Sequence, residues 1–502
     1  MSTDRAGHKY SPLLIATGAC AFLWIAARAS VQSLTIDESD TFLAYVVRPN
    51  LSDWEAASNN HVLNSLLMRL FVTVFGASPF TIRLPALIGA AIYITAVYFL
   101  VRLITPGLLL QWSLLVCLVA CPFVMDYLVA GRGYSLALAF LTCAITLAVR
   151  HKQRGGSLVR AATLISIGTA LSVCANFSFA IADLAIGLLI FIWVWPGVWR
   201  DAAASRWKTL AAFVLPGLAV GYFFVGPTVL GWPKGQFTWG ARSLLDTGRS
   251  LLEASLYEPN PYLLNPRLRH YFVHFGKFLY PLLGVFFLWR AVLLFRARAT
   301  VRGATLALIA AAALIVTLAS HQLLFWFYGI LLPLDRTGLY IALFLFLMAG
   351  VAAAVPLDSF QGRITARGLT GVLALIACYS IGCLRLTYFK EWKYDADMKR
   401  VYSVLAYYNR TYGLKDVSTN WRYVAAINAY RELSGRETLH QIGGAPNQVN
   451  EYPAGYQAYV VFYPWDFGFV KREGLKLVYH DTFTDVAVAI RPDLESQPCA
   501  HP

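Results

Sequence analysis

Residues 61–76 read His61-Val62-Leu63-Asn64-Ser65-Leu66-Leu67-Met68-Arg69-Leu70-Phe71-Val72-Thr73-Val74-Phe75-Gly76, and whether this segment crosses a membrane decides the fold. It is apolar, yet His61, Asn64, Ser65, Arg69 and Thr73 recur at helical spacing on one stripe. At 1.5 Å per residue it is about 24 Å long, short of the hydrocarbon core of roughly 30 Å. A helix of this kind lies in the interface more readily than it crosses. Counting it as a span would also place the basic loops 150–160 and 296–302 outside, against the preference of Lys and Arg for the cytoplasmic side.

The rest of the chain sets that choice in context. Of 502 residues, 58% are hydrophobic and only 14% charged, whereas a soluble globular chain carries about a quarter charged residues. Mean hydropathy is +0.55. Residues 11–386 form apolar runs separated by short polar breaks, and from about Phe389 the composition becomes ordinary. This predicts a transmembrane domain over 1–386 and a soluble domain over 387–502. Eleven runs are long enough to span, at 11–32, 80–103, 108–125, 133–150, 158–175, 177–196, 208–230, 271–294, 303–320, 337–356 and 367–386. The first reads as a retained span, since no small-residue cleavage site stands out before Thr35.

With the N-terminus inside, the inner breaks collect Arg5, Lys9, Arg102, Arg150, Lys152, Arg154, Arg160, Arg200, Arg206, Lys208, Arg290, Arg296, Arg298, Arg302, Arg363 and Arg367 against only Asp4, Asp201 and Asp358. The odd count then puts the C-terminal domain outside. The net charge of +15 is explained by these inner breaks, which excludes a nucleic-acid-binding reading. Seven of the eight cysteines fall inside apolar runs with no disulfide or metal spacing. The expected outer surface comprises the first loop, 33–79, with its interfacial helix; the break Asp126–Arg132; a Pro-, Gly- and Trp-rich loop, 231–270; and the break His321–Arg336. The C-terminal domain predicts a small α/β fold, with helices at 396–412 and 423–433 and extended segments at 416–421, 459–463 and 486–490.

Four residue sets at outer span mouths can carry chemistry. Asp37, Glu38 and Asp40 crowd one membrane-surface turn; crowding and partial burial raise a carboxyl pKa toward what a general base needs, although such acids also simply keep a loop outside. Asn60-His61 opens the interfacial helix, either as a helix cap or as a phosphate or substrate contact. Arg132 opens a span between Gly131 and Gly133, before Tyr134; a guanidinium there suits a lipid phosphate or snorkels to headgroups. Asp335-Arg336 opens another span, as a second anion site or as a local pair. No P-loop, nucleotide fingerprint, HExxH or GxSxG motif is present, so energy for any transfer must reside in the substrate.

Taken in order, Asp37-Glu38, Asn60-His61-Val62-Leu63, Phe75-Gly76-Ala77-Ser78-Pro79-Phe80, Arg83-Leu84-Pro85, Ala130-Gly131-Arg132-Gly133-Tyr134-Ser135-Leu136 and Asp335-Arg336-Thr337-Gly338-Leu339-Tyr340 resemble one family. The chain is similar to GT-C fold glycosyltransferases that use polyprenyl-phosphate sugars, in particular bacterial relatives of the protein O-mannosyltransferases and of the lipid A aminoarabinose transferase. Many relatives have Pro where this chain has Val62, and the aminoarabinose transferase has Glu-Lys near Asn60-His61.

The resemblance implies a membrane enzyme that moves a sugar, with inversion, from a polyprenyl-phosphate donor to an acceptor hydroxyl on a glycan, lipid or protein at the outer face of a bacterial plasma membrane. Asp37 would be the base, assisted by Glu38. Arg132, Arg336 and His61 would hold the donor phosphate, and Asp40, Asn60, Tyr134 and Asp335 would contact substrate. No cofactor or metal is expected. The contrasting reading is a transporter or lipid-sugar flippase, for which the lone mid-span acid is Asp183.

Overall fold

A computed structural model describes the chain except residues 1–10, 49, 51–53, 55–56, 195–202, 233–238, 261–265, 297–301, 356–359, 436–437, 444–450 and 497–502. Arg5, Lys9, Arg200 and Arg298, and parts of the 231–270 loop and of the 177–196 segment, therefore lie outside the described residues.

The membrane domain runs α1 (Pro12–Val31), α2 (Ile36–Thr41), α3 (Val62–Phe75), α4 (Pro79–Ile104), α5 (Leu108–Ala120), α6 (Pro122–Val129), α7 (Tyr134–Arg154), α8 (Leu158–Ala175), α9 (Ala180–Val194), α10 (Ala203–Leu230), α11 (Leu244–Ser255), α12 (Pro266–Arg296), α13 (Arg302–Tyr328), α14 (Leu339–Ala354) and α15 (Phe360–Gly382). Among the described residues, nine helices are long and apolar enough to cross a membrane, and α5 with α6 forms one further span bent by 54°. Pro122 sits at that break, where its ring and missing N–H prevent the helix from running straight through. The remaining expected span, 271–294, falls in α12, which is not among the helices that meet this length and hydropathy criterion.

The 61–76 segment behaves as its polar stripe predicts. Its helix, α3, has 14 residues and falls short of a span. It buries Asn64, Ser65 and Met68 and exposes Leu70, Val74 and Phe75, so the N-terminal part of the polar stripe turns into the protein while Thr73 at its far end is exposed. The helices behind it pack closely. A Cβ at Gly89 of α4 would lie 2.6 Å from the Leu136 backbone nitrogen of α7, so only glycine permits this approach.

The C-terminal domain adds α16 (Met398–Tyr412), α17 (Trp421–Ser434) and α18 (Phe467–Arg472) around a four-stranded sheet. The strands are β1 (Val417–Thr419), β2 (Ala458–Phe462), β3 (Lys476–Asp481) and β4 (Val486–Ile490), in the order β1-β2-β4-β3. β1 pairs parallel with β2, and the other pairs are antiparallel. The sequence missed β3 because that strand is largely exposed and lacks an apolar run. This domain shares a core with the 33–79 segment and the start of α4: Leu34, Phe42, Met68 and Ile82 pack with Met398, Val401, Tyr423 and Ile427. The backbone N–H of Leu34 donates to the Tyr430 hydroxyl at 3.0 Å.

With the N-terminus inside, Arg154→Cys and Ser403→Cys in a cysteine-depleted chain should label from opposite sides in intact cells. A membrane-impermeant maleimide is expected to reach position 403 only; labelling at 154 alone would invert the topology.

Candidate active site

Thr35 caps α2, with its hydroxyl on the Glu38 N–H and the Glu38 carboxylate on the Thr35 N–H. This capping box fixes Glu38 at the third helical position. Arg83, in the first turns of α4, then clasps Glu38 with Nε on Oε1 and Nη2 on Oε2, both at 2.7 Å. Its remaining donors reach the carbonyls of Ala29, Gln32 and Ser33. The Gly131 N–H donates to Glu38 Oε1 at 2.7 Å. Glu38 thus accepts two hydrogen bonds on each oxygen, and neither charged side chain of the pair is exposed. Burial alone would lift the Glu38 carboxyl, but the Arg83 charge and these donors outweigh it and hold it below its usual range.

This geometry corrects the expectation that Glu38 shares the base role. It has no lone pair left for a substrate and acts as the knot joining the first loop, α4 and the 131–133 turn. Arg83 was legible only as part of a motif, without a role. Asp126 is likewise occupied, by Arg28 at 2.6 Å, by the Tyr257 hydroxyl and by the Lys390 N–H.

The 131–133 turn aims Arg132 beneath α2. Gly133 has φ +70, and a Cβ there would fall 2.1 Å from the Ala175 carbonyl oxygen, so glycine is required twice over. Arg132 is buried and donates to the Asp37 carbonyl, the Thr41 hydroxyl and the Asn59 side chain, leaving Nε unpartnered. His61 lies beside it, ring to ring with Tyr134 at 5.5 Å, with neither nitrogen hydrogen-bonded. Burial, then Arg132 and Arg336, push the imidazole well below its usual value, so it stands neutral. Asn60 accepts from Ser65 and keeps an unpartnered Nδ2.

Asp37, one residue before the knot, pairs with Arg336 at 2.9 Å. Arg336 does not pair with its neighbour Asp335, which corrects the local-pair alternative. It also meets Glu391 and the Tyr134 hydroxyl, and stacks over Trp392 at 5.4 Å. Asp335 is held apart by a left-handed φ of +46, its N–H donating to Ser250 of α11. Glu391, also bonded by the Tyr127 hydroxyl, belongs to the connector after α15, which runs across the site. Sequence reasoning missed it because nothing marks a lone acid in an ordinary stretch. The same connector supplies Asp395, whose carboxylate accepts from the Ile36 N–H at 2.7 Å. Burial, opposed by that bond, and three neighbouring acids keep it well above its usual value, so it is neutral.

Asp40 stands at the rim of the cluster and is exposed. Burial of its carboxyl and the charge of Asp37 push it up to about 6, against Arg132. Of the expected site residues, the structure gathers Asp37, Asp40, Asn60, His61, Arg132, Tyr134 and Arg336, and leaves Glu38 and Asp335 in supporting positions.

Two cavities adjoin this cluster. An apolar one of about 560 Å³ is lined by residues such as Leu251, Leu252, Phe287, Leu318 and Ile341. Leu251 lies against Gly338, two residues from Arg336. A polar one of about 510 Å³ is lined by Asp40, Asn59, Arg132 and residues of the C-terminal domain. Among the described residues no group of three or more His, Cys, Asp or Glu converges as a metal-binding set.

Two solved structures share this architecture. ArnT from Cupriavidus metallidurans in the apo state aligns with TM-score 0.56 and 13% identity, over 95% of this chain and 97% of that one. The same protein bound to undecaprenyl phosphate aligns with TM-score 0.52 and 12% identity, over 96% and 98%. No protein-family profile and no curated sequence matches the chain. At these identities the likeness establishes the fold, which is GT-C.

Glu38→Gln should lower the thermal midpoint sharply, since breaking a buried ion pair costs about 3–5 kcal/mol. Asp37→Asn, whose pair is partly exposed, should leave the midpoint within a few degrees. Equal midpoints for the two variants would mean that Glu38 is not the structural knot.

Proposed function

We propose that this chain is a glycosyltransferase that moves a sugar from a polyprenyl phosphate to an acceptor hydroxyl at the outer face of the plasma membrane. The observation that carries the reading is the junction at Arg336. This guanidinium faces Asp37 on one side, and the helix beside it, α11, lines an apolar cavity large enough for part of an isoprenoid tail. The neighbour solved with undecaprenyl phosphate supports a lipid phosphate as the ligand of such a junction.

In this reading the acceptor hydroxyl oxygen attacks the anomeric carbon. The bond from that carbon to the phosphate oxygen breaks, and its electron pair leaves with the polyprenyl phosphate. The acceptor proton passes to a carboxylate oxygen of Asp37. Direct displacement inverts the anomeric centre. Phosphate is a good leaving group, so no protonation is needed; Arg336 and Arg132 meet the developing charge, and neutral His61 offers a donor beside them.

Arg336 is shared between Asp37 and Glu391. A donor phosphate competes with both carboxylates. Drawing Arg336 away frees Asp37 to act as a base, so donor binding and base activation are one event. The transporter alternative calls for ionisable groups at mid-membrane, whereas these charges gather at one face. Asp183 is buried within α9 and lies outside the cluster.

Transfer from radiolabelled polyprenyl-phosphate sugars to envelope extract tests this. Asp37→Asn is expected to reduce transfer about 10²–10⁴-fold while still binding donor; full transfer by this variant would remove Asp37 as base. Glu391→Gln should tighten binding of polyprenyl phosphate several-fold, and unchanged or weaker binding would rule out the competition.

A further inference from the structure

The polar cavity has two walls of different origin. One is the first outer loop: Asp40 and Tyr45, with Asn59 and Arg132 beneath them. The other is the C-terminal domain, through Glu432 at the end of α17 and Gln441 beyond it. The walls are set rigidly against each other, since α17 packs on α2 through the shared core and the Leu34–Tyr430 bond. Arg132 ties the cavity to the chemistry, because it donates to the backbone carbonyl of Asp37. Asp40 lies three residues after Asp37 on α2, hence one turn along the same face. A ligand hydroxyl at Asp40 and Arg132 therefore sits one helical turn from the proposed base.

The lining decides what fits. Carboxylates (Asp40, Glu432), the Arg132 guanidinium and amides (Asn59, Gln441) share the lining with the Tyr45 ring and with small apolar patches at Leu43 and Val47. Each hydroxyl of a carbohydrate both donates and accepts, so a polyol satisfies all three group types, and its apolar C–H face suits Tyr45. An isoprenoid would strip water from Asp40 and Arg132 without replacing its hydrogen bonds, which is costly. A Ser or Thr side chain would fill only a small part of about 510 Å³.

We infer that this cavity is the acceptor site, that the acceptor is a carbohydrate, and that Glu432 and Gln441 of the C-terminal domain select it. The inference rests on the transferase reading and extends it to the acceptor.

The full chain in nanodiscs is given radiolabelled polyprenyl-phosphate sugars and envelope extract, and the product is divided by protease and glycosidase digestion. Label is expected in protease-resistant, glycosidase-sensitive material. Glu432→Gln and Gln441→Ala, both at exposed positions, should raise the acceptor KM about tenfold together. They should leave polyprenyl-phosphate affinity, kcat and thermal midpoint unchanged. Label in peptides, or an unchanged acceptor KM with an active wild type, overturns this inference alone. A wild type that transfers to no fraction overturns the transferase reading and this inference with it.

Discussion

The arrangement depends on one buried ion pair. Glu38 and Arg83 meet at 2.7 Å with no solvent access, and such a pair is tolerable only when every remaining donor and acceptor is satisfied. Here the satisfaction comes from elsewhere in the chain: Thr35 caps from one side, Gly131 from another, and the carbonyls of α1's C-terminal end and of Ser33 from a third. The end of α1, the first loop, α4 and the 131–133 turn are therefore fixed to one another by a single ion pair. The residue before it, Asp37, and the residue after Gly131, Arg132, are positioned as a consequence. Site geometry in this protein is a by-product of satisfying a charge that cannot be left unpaired.

Charge balance governs the rest. Asp37, Asp40, Asp395 and Glu391 crowd around Arg132 and Arg336, with a neutral His61 between the two arginines. The acids do not all ionise: Asp395 keeps its proton, and Asp40 is lifted to about 6. Arg336 is the pivot of the charged groups, because it pairs with Asp37 of the first loop and with Glu391 of the connector after α15. Two carboxylates, those of Asp37 and Glu391, thus converge on one guanidinium.

Much of this was legible in residues. The amphipathic stripe of 61–76 correctly withheld a span, and the apolar runs located the long helices because lipid demands uninterrupted hydrophobic length. The convergence of Asp37, Arg132 and Arg336 followed from their common position at span mouths. What could not be read were relations between distant segments. Nothing local distinguishes Glu38 from Asp37, yet one is sealed by Arg83 and the other faces Arg336. Glu391 and Gln441 belong to ordinary polar sequence, and their place beside the site is set only by how the C-terminal domain docks on α2.

The most direct test of the account is the structure of the chain in a nanodisc with polyprenyl phosphate bound. The phosphate should contact Arg336, with Glu391 displaced from it and the isoprenoid tail running into the cavity lined by Leu252, Phe287 and Ile341. A phosphate held elsewhere, with the Arg336 pairs to Asp37 and Glu391 intact, would contradict it.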